Sequence, residues 1–133
     1  FYNKATIAMV NGWCFGGGYA PLFACDLAFA AEDAQFGLSE INWGILPGGG
    51  ATKVARELLS FRRAMYHALT GEPIDGKKAA DWGLVNEAVP AAKLAERVTA
   101  VVATAVPSPI GASGCGCRAT MPRSTCAGPP PAS

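Results

Sequence analysis

The sequence predicts an α/β fold, in which short strands alternate with helices. Continuous apolar runs of four or five residues are followed by segments whose apolar residues recur every three or four positions. The first pattern indicates buried strands and the second indicates helices. Clusters of glycine, asparagine and proline separate the two patterns, at the places where turns between elements are expected.

Three apolar runs predict the strands. Residues 6–10, which end at Asn11-Gly12, and residues 26–30 both lack polar alternation, so they predict strands buried on both faces. Residues 84–89 predict a third strand. Residues 36–44 follow the second strand and predict an irregular segment, because they show neither a continuous apolar run nor apolar residues at helical spacing.

Five segments predict helices, because their apolar residues lie four apart or because glycine and proline bound them. The first, at residues 18–25, carries Pro21 in its first turn, where proline is tolerated. The other four segments are indicated by Val54 with Leu58, by Met65 with Leu69, by residues 77–82, and by Leu94, Val98, Val101, Val102 and Ala105 between Pro90 and Pro107. Gly71 follows the second of these four and Gly83 the third, as expected for residues that end a helix.

The composition changes sharply after residue 106. Residues 1–106 carry 9 basic and 10 acidic residues, whereas residues 107–133 hold six prolines, four glycines, four serines, three cysteines and no acidic residue. Ile110 and Met121 are the large aliphatic residues of the second segment, too few to offset the entropy of folding. We expect residues 1–106 to be a partial domain that begins in mid-fold, since Phe1 opens a strand-like run without an initiator Met. Residues 107–133 are expected to be a disordered tail that is not native to the fold.

Composition also excludes several classes of protein. A formal net charge of +1 argues against nucleic-acid binding, which needs a clustered basic surface. The sequence shows no run of about 18 apolar residues that would span a membrane and no secretory signal pattern. Cys14 and Cys25 lie in apolar runs, as reduced cysteines do, so we expect a reducing cytoplasm. Cys115, Cys117 and Cys126 fit no standard zinc spacing, and we expect no metal site.

Gly16-Gly17-Gly18 stands between a strand-like run and a predicted helix. A helix start presents unpaired N–H groups and the positive end of a dipole, and glycine lets a ligand approach the backbone. Such a turn can hold a phosphate or a developing oxyanion. The alternative is a turn that serves packing only, because the three glycines match neither the dinucleotide-binding pattern nor the P-loop pattern.

Glu40 is the candidate acid/base. It lies between Leu38 and Ile41, with Trp43 close behind, and apolar surroundings raise the pKa of a carboxyl group toward the range useful for proton transfer. The alternative is an exposed glutamate that caps a turn. His67 is the single histidine and cannot be placed beside a nucleophile, so no Ser-His-Asp or Cys-His set is predicted.

Seven motifs in one order resemble the enoyl-CoA hydratase/isomerase (crotonase) superfamily. They occupy residues 4–12, 15–18, 25–27, 36–40, 44–48, 69–71 and 79–85. Within the superfamily, residues 12–18 and 37–44 are most similar to the hydratase/lyases that act on 4-hydroxycinnamoyl-CoA thioesters. The resemblance implies the crotonase-like ββα spiral fold, of which residues 1–106 would form the central part.

The resemblance also implies roles for single residues. The backbone N–H of Gly17 would be one of two oxyanion donors around the thioester carbonyl, and Glu40 would be the catalytic acid/base. Typical hydratases carry a second carboxylate at the position of Ala20 and the hydratase/lyases carry serine there, so Ala20 departs from both patterns. Other substrate contacts are expected from Phe15, Gly16, Tyr19, Ala20, Ser39, Trp43 and Gly44. The rings of Phe15, Tyr19 and Trp43 would either wall an aromatic substrate or pack in the core.

The implied reaction converts feruloyl-CoA or p-coumaroyl-CoA into acetyl-CoA and an aromatic aldehyde, vanillin or 4-hydroxybenzaldehyde. It proceeds by hydration and retro-aldol cleavage, with no cofactor beyond the coenzyme A of the substrate. The second oxyanion donor and the adenine pocket are expected outside this sequence, and trimers or pairs of trimers are implied for an intact member. Two alternatives stay open: a hydratase or isomerase of fatty acyl-CoA, against which Ala20 argues, and an inactive truncated chain.

Overall fold

The computed structural model describes residues 4–105. The strands in this range are β1 (Ile7–Val10), β2 (Trp13–Phe15), β3 (Leu27–Ala31), β4 (Gln35–Gly37), β5 (Ile74–Asp75) and β6 (Glu87–Val89). The α-helices are α1 (Tyr19–Ala24), α2 (Ala51–Leu58), α3 (Phe61–Thr70), α4 (Gly76–Trp82) and α5 (Ala91–Ala105). Single 3-10 turns occupy Gly16–Gly18 and Ser39–Trp43. Residues 4–98 belong to one compact unit, which contains all of these elements except the last turns of α5. The predicted α/β class is confirmed.

The strands form two three-stranded sheets. The first has the order β1-β3-β6 and is parallel throughout. The second has the order β2-β4-β5, with β2 parallel to β4 and β5 antiparallel to β4. Because parallel strands need a crossover connection, the chain between β1 and β3 makes one, and the Gly16–Gly18 turn lies within it.

The two predicted buried strands differ in burial. β3 is the middle strand of its sheet, and Phe29, Ala30 and Ala31 are buried, which confirms the prediction. β1 is an edge strand among the described residues, and its side chains are half-buried, with Met9 48% exposed. The prediction of a strand at this position is confirmed, but the prediction that both of its faces are buried is wrong, because Met9 is exposed and Ile7, Ala8 and Val10 are only half-buried.

Other boundaries depart from the predictions for local reasons. The segment predicted to be irregular begins with strand β4 and continues as the Ser39–Trp43 turn. The third predicted strand is confined to β6, because Leu84 and Val85 instead close the end of α4: the N–H of Leu84 donates to the carbonyl of Ala79 at 2.9 Å, as in common helix C-caps. The predicted helices are confirmed as α1 to α5.

Two further predictions concern the C-terminal tail and membrane-spanning helices. The expected tail at residues 107–133, with Cys115, Cys117 and Cys126, lies outside the described residues. Between residues 4 and 105, no helix combines the length and the apolar character needed to cross a membrane.

Candidate active site

The first part of the site is the glycine turn that follows β2. Gly16 has a φ of +48°, a left-handed conformation that glycine adopts readily. The N–H of Tyr19 donates to the carbonyls of Gly16 and Gly17 and closes the turn. Gly17 is exposed, and a β-carbon built on it would meet no atom within 4 Å. A ligand therefore has room to reach the backbone of Gly17.

The second part is the 3-10 turn Ser39–Trp43, which holds Glu40 directly after β4. Gly44 ends the turn with a φ of +66°, and its N–H donates to the carbonyl of Ile41 at 3.0 Å. The N–H of Ile45 donates to the carbonyl of Glu40 at 3.3 Å. These bonds hold the backbone of Glu40 in place.

Strand pairing brings the two turns together. β2 and β4 are parallel, and Phe15 at the end of β2 is paired with Gly37 at the end of β4. Parallel neighbours have their carboxyl ends at the same edge of the sheet, so the segments that follow them leave the sheet side by side. The glycine turn and Glu40, which lie more than twenty residues apart in sequence, are neighbours for this reason.

The carboxylate of Glu40 lies against Gly16. A β-carbon built on Gly16 would stand 3.0 Å from Oε1 of Glu40 and 3.5 Å from its Cδ. Oε2 of Glu40 is buried and has no hydrogen-bond partner among residues 4–105. A carboxylate oxygen without a protein partner is available to accept a proton from a bound molecule or to return one.

A cavity of about 230 Å³ opens between these groups. Gly16, Gly17, Ala20 and Glu40, all expected at the site from the sequence, line it. Its other lining residues come from the loop before α2 and from the first residue of that helix: Gly48, Gly49 and Ala51. The sequence motifs did not assign this loop to the site; the run of glycines at residues 48–50 was the available signal. Glu40 is the ionisable side chain among these lining residues.

Five of the seven expected substrate contacts do not line this cavity: Phe15, Tyr19, Ser39, Trp43 and Gly44. The ring of Phe15 covers Gly37, where it would overlap a β-carbon, and lies 5.4 Å from the ring of Trp13. Ser39 begins the turn that holds Glu40 and is half-buried. Trp43 ends the same turn and is 79% exposed. Gly44 follows it as the residue that caps the turn.

Tyr19 is placed in the core rather than on the cavity wall. Its side chain is fully buried, and its ring makes edge contacts with Phe23 and Phe36. Its hydroxyl lies 2.6 Å from Nε2 of His67. Of the two interpretations that the sequence left open for this ring, packing in the core describes its position.

Burial keeps three side chains near the glycine turn uncharged: Cys14, Tyr19 and His67. It raises the pKa of the Cys14 thiol to about 11, and Sγ of Cys14 lies 3.4 Å from the carbonyl oxygen of Gly18. Burial, with the nearby Cys14 and Glu40, also raises the pKa of Tyr19 far above its usual range. Burial lowers the pKa of His67. These three side chains are therefore neutral near pH 7.

The described residues offer no cluster for a metal ion: no group of three or more histidine, cysteine, aspartate or glutamate side chains among them is arranged to hold one. Cys14 and Cys25 are free cysteines, the first buried and the second half-buried.

The comparisons with known proteins agree on one family. The model of the enoyl-CoA hydratase/isomerase family matches residues 2–113. The hydroxycinnamoyl-CoA hydratase-lyase of Pseudomonas fluorescens is 58% identical over 95 residues, which are 71% of this chain and 34% of that protein. The 2,3-dehydroadipyl-CoA hydratase of Escherichia coli is 39% identical over 89 residues, 67% of this chain and 35% of that protein. The chain thus spans about one third of the length of these curated relatives.

Solved structures extend the likeness to the fold. The enoyl-CoA hydratase of Bacillus anthracis has a TM-score of 0.73 and 36% identity, over 76% of this chain and 39% of that one. The carnitinyl-CoA hydratase of Mycobacterium avium has a TM-score of 0.73 and 40% identity, over 79% of this chain and 40% of that one.

Proposed function

The chain belongs to the enoyl-CoA hydratase/isomerase family and has part of its crotonase-like fold, and from this premise we propose that the protein adds water to an α,β-unsaturated acyl-CoA thioester. More specifically, it hydrates 4-hydroxycinnamoyl-CoA thioesters and then cleaves the product to an aromatic aldehyde and acetyl-CoA. The observation that carries the proposal is a cavity in which the carboxylate of Glu40 meets the backbone of Gly16 and Gly17. The narrower substrate is supported by the 58% identity to the hydratase-lyase, against 39% to the dehydroadipyl-CoA hydratase.

The glycine turn would bind the thioester oxygen. When water adds to the β-carbon, negative charge moves through the α-carbon onto that oxygen, which becomes an oxyanion. The N–H of Gly17 would donate to it, and removal of one such donor typically costs about 3 kcal/mol of transition-state stabilisation. Because Gly17 is exposed to the cavity without a side chain, the thioester can approach its backbone closely.

Glu40 would carry the proton in hydration. Its carboxylate takes a proton from water as the water oxygen bonds to the β-carbon. The protonated Glu40 then gives that proton to the α-carbon of the enolate, and the product is a β-hydroxyacyl thioester. Glu40 ends this stage ionised, as it began.

The same carboxylate would serve the cleavage. It takes the proton of the β-hydroxyl group, the bond between the α- and β-carbons breaks, and the β-carbon leaves as the aldehyde. The enolate of acetyl-CoA that results is again bound as an oxyanion, and Glu40 returns its proton to the α-carbon. Because the two stages follow one another, one carboxylate suffices, in keeping with Ala20 at the place of a second carboxylate.

The proposal assigns no separate cofactor, because the charge develops on the thioester oxygen and Glu40 moves every proton. It includes a cytoplasmic location and assembly of intact subunits as trimers or pairs of trimers. Light scattering on the purified protein, expressed from its complete open reading frame, tests the assembly.

A substrate comparison tests the reaction. The protein, expressed from its complete open reading frame, is supplied with feruloyl-CoA and, separately, with crotonyl-CoA at the same concentration. Vanillin and acetyl-CoA should form in equal amounts from feruloyl-CoA, and hydration of crotonyl-CoA should be much slower. Rapid hydration of crotonyl-CoA without release of an aldehyde from feruloyl-CoA would contradict the lyase proposal and favour a hydratase of fatty acyl-CoA.

A further inference from the structure

Helix α3 is joined to the glycine turn by a buried hydrogen bond. Nε2 of His67 lies 2.6 Å from the hydroxyl of Tyr19, 48 residues away in sequence, and both side chains are fully buried. Tyr19 is the first residue of α1 and directly follows Gly18, and its own N–H closes the turn that contains Gly17. The position of that turn is therefore tied to His67 through one side chain.

The end of α3 also lies against the turn that holds Glu40. Gly71 follows the last residue of the helix, and a β-carbon on it would stand 2.7 Å from Cγ2 of Ile41 and 3.2 Å from Oδ1 of Asn42. Ile41 and Asn42 are the two residues after Glu40. One helix thus contacts the segment that carries Gly17, through Tyr19, and the turn that carries Glu40.

Tyr19 and His67 are both neutral, so the direction of the buried hydrogen bond between them depends on the tautomer of His67. A neutral imidazole offers one ring nitrogen as a donor and the other as an acceptor, and a phenol hydroxyl can take either role. The two groups are 2.6 Å apart in either case. A hydrogen bond between two fully buried groups is costly to break, because the group that remains loses its partner without regaining water.

We propose that His67 is a positioning residue: by holding Tyr19, it fixes the N–H of Gly17 relative to the carboxylate of Glu40. This inference rests on the proposed function for its catalytic consequence, but the geometric part stands without it. An oxyanion donor contributes fully only when it is aimed at the place where charge develops, and misplacement of a reacting group by about 1 Å can cost about 100-fold in rate. Loss of the His67–Tyr19 bond should therefore lower kcat more than it weakens substrate binding.

Four single variants of the protein, expressed from its complete open reading frame, and the Tyr19→Phe/His67→Leu double variant separate positioning from stability. Tyr19→Phe keeps the ring and removes the hydroxyl; His67→Leu removes the imidazole. His67→Gln supplies an amide group that can donate or accept the bond in its place. Leu94→Ala is the control, because Leu94 is equally buried but lies in α5 and does not line the cavity.

Hydrogen–deuterium exchange tests the geometry without a substrate. Amides of residues 16–20 and 39–44 should exchange about tenfold faster in Tyr19→Phe and His67→Leu than in Leu94→Ala. Exchange in both segments no faster than in the Leu94→Ala control would overturn the positioning role. Because this readout needs no turnover, it stays decisive even if the wild-type protein acts on no hydroxycinnamoyl-CoA and the proposed function fails.

Kinetics test the consequence. With the thioester that the wild-type protein turns over, Tyr19→Phe and His67→Leu should each lower kcat about tenfold with KM changed less than twofold. The double variant should be no worse than either single variant, because all three lose the same bond. His67→Gln should recover most of kcat. Equal loss of kcat in Leu94→Ala, or additive losses in the double variant, would show that the effect is one of general stability and would contradict the proposal.

Discussion

Glu40 and Gly16 are in contact, with Oε1 of the carboxylate 3.0 Å from the place that a β-carbon on Gly16 would occupy. Two independent features thus require glycine at this position. One is the space taken by the carboxylate, and the other is the φ of +48°, which other L-residues adopt only at a cost. The contact joins the turn that would bind the oxyanion to the group that would move the protons.

Gly16→Ala should therefore lower both stability and activity. The left-handed backbone conformation alone should cost about 1–2 kcal/mol of the free energy of unfolding, and the new methyl group should displace the carboxylate of Glu40. Gly17→Ala is the matched stability control, because a β-carbon there would meet no atom within 4 Å. Urea denaturation of both variants checks the difference; equal stability of the two would contradict the contact.

Gly71→Ala should affect activity as well as stability, since Gly71 packs against Ile41 beside Glu40. Gly83 offers a matched control: both glycines follow helices in the left-handed conformation, with φ of +66° and +87°. A β-carbon on Gly83 would lie 3.5 Å from the carbonyl oxygen of Leu58, an ordinary contact, against 2.7 Å from Cγ2 of Ile41 at Gly71.

Both substitutions should thus cost about 1–2 kcal/mol for the backbone, and Gly71→Ala should cost more. Its kcat should fall by at least threefold, whereas kcat of Gly83→Ala should stay within about 1.5-fold of wild type. Denaturation and initial-rate measurements on both variants check this. A larger loss of kcat in Gly83→Ala would contradict the role assigned to the Gly71 contact.

Stability should decrease as the pH falls, in part through His67. Burial, assisted by the charge of Lys78 and opposed by the backbone of Glu72, lowers the pKa of His67 below its ordinary 6.5. The unfolded chain then binds a proton more tightly than the folded chain does. The contribution is therefore fully present above pH 6.5 and is lost as the pH falls below it.

His67→Gln isolates this contribution, because it removes the titrating group and leaves the carboxylates unchanged. Between pH 7.5 and pH 5.5, the free energy of unfolding of the wild-type protein should fall more than that of His67→Gln. Equal losses would show that His67 does not titrate differently in the folded and unfolded chains.

The sequence predicted what depends on local patterns or on contiguous motifs. Glu40 and Gly17 were identified from short runs that resemble a known family, and the helices from apolar spacing and terminal glycines such as Gly71. Strands β2 and β4, of three residues each, are too short for a period to be detected. These two strands contribute most to the assembly of the site, because their parallel pairing places Glu40 beside Gly16.

Contacts between distant segments could not be predicted from one sequence. The bond between Tyr19 and His67 joins residues 48 positions apart, and no local pattern indicates it. The aromatic ring of Tyr19 fits either a substrate wall or the core when only the sequence is read, whereas its contacts with Phe23 and Phe36 place it in the core. Gly48 and Gly49 reach the cavity only through the tertiary fold.

The central claim is that Glu40 moves the protons, and the kcat of Glu40→Gln tests it most directly. Glutamine keeps the size of the side chain but cannot accept or return a proton, and a general acid/base typically contributes about 10²- to 10⁴-fold. Glu57→Gln is the matched control, because Glu57 is exposed on α2 and forms a surface pair with Lys53, which contributes little to stability. We predict that Glu40→Gln lowers kcat at least 100-fold with KM within about threefold, while Glu57→Gln stays within twofold of wild type. A Glu40→Gln variant that retains kcat within about threefold of wild type would contradict the account.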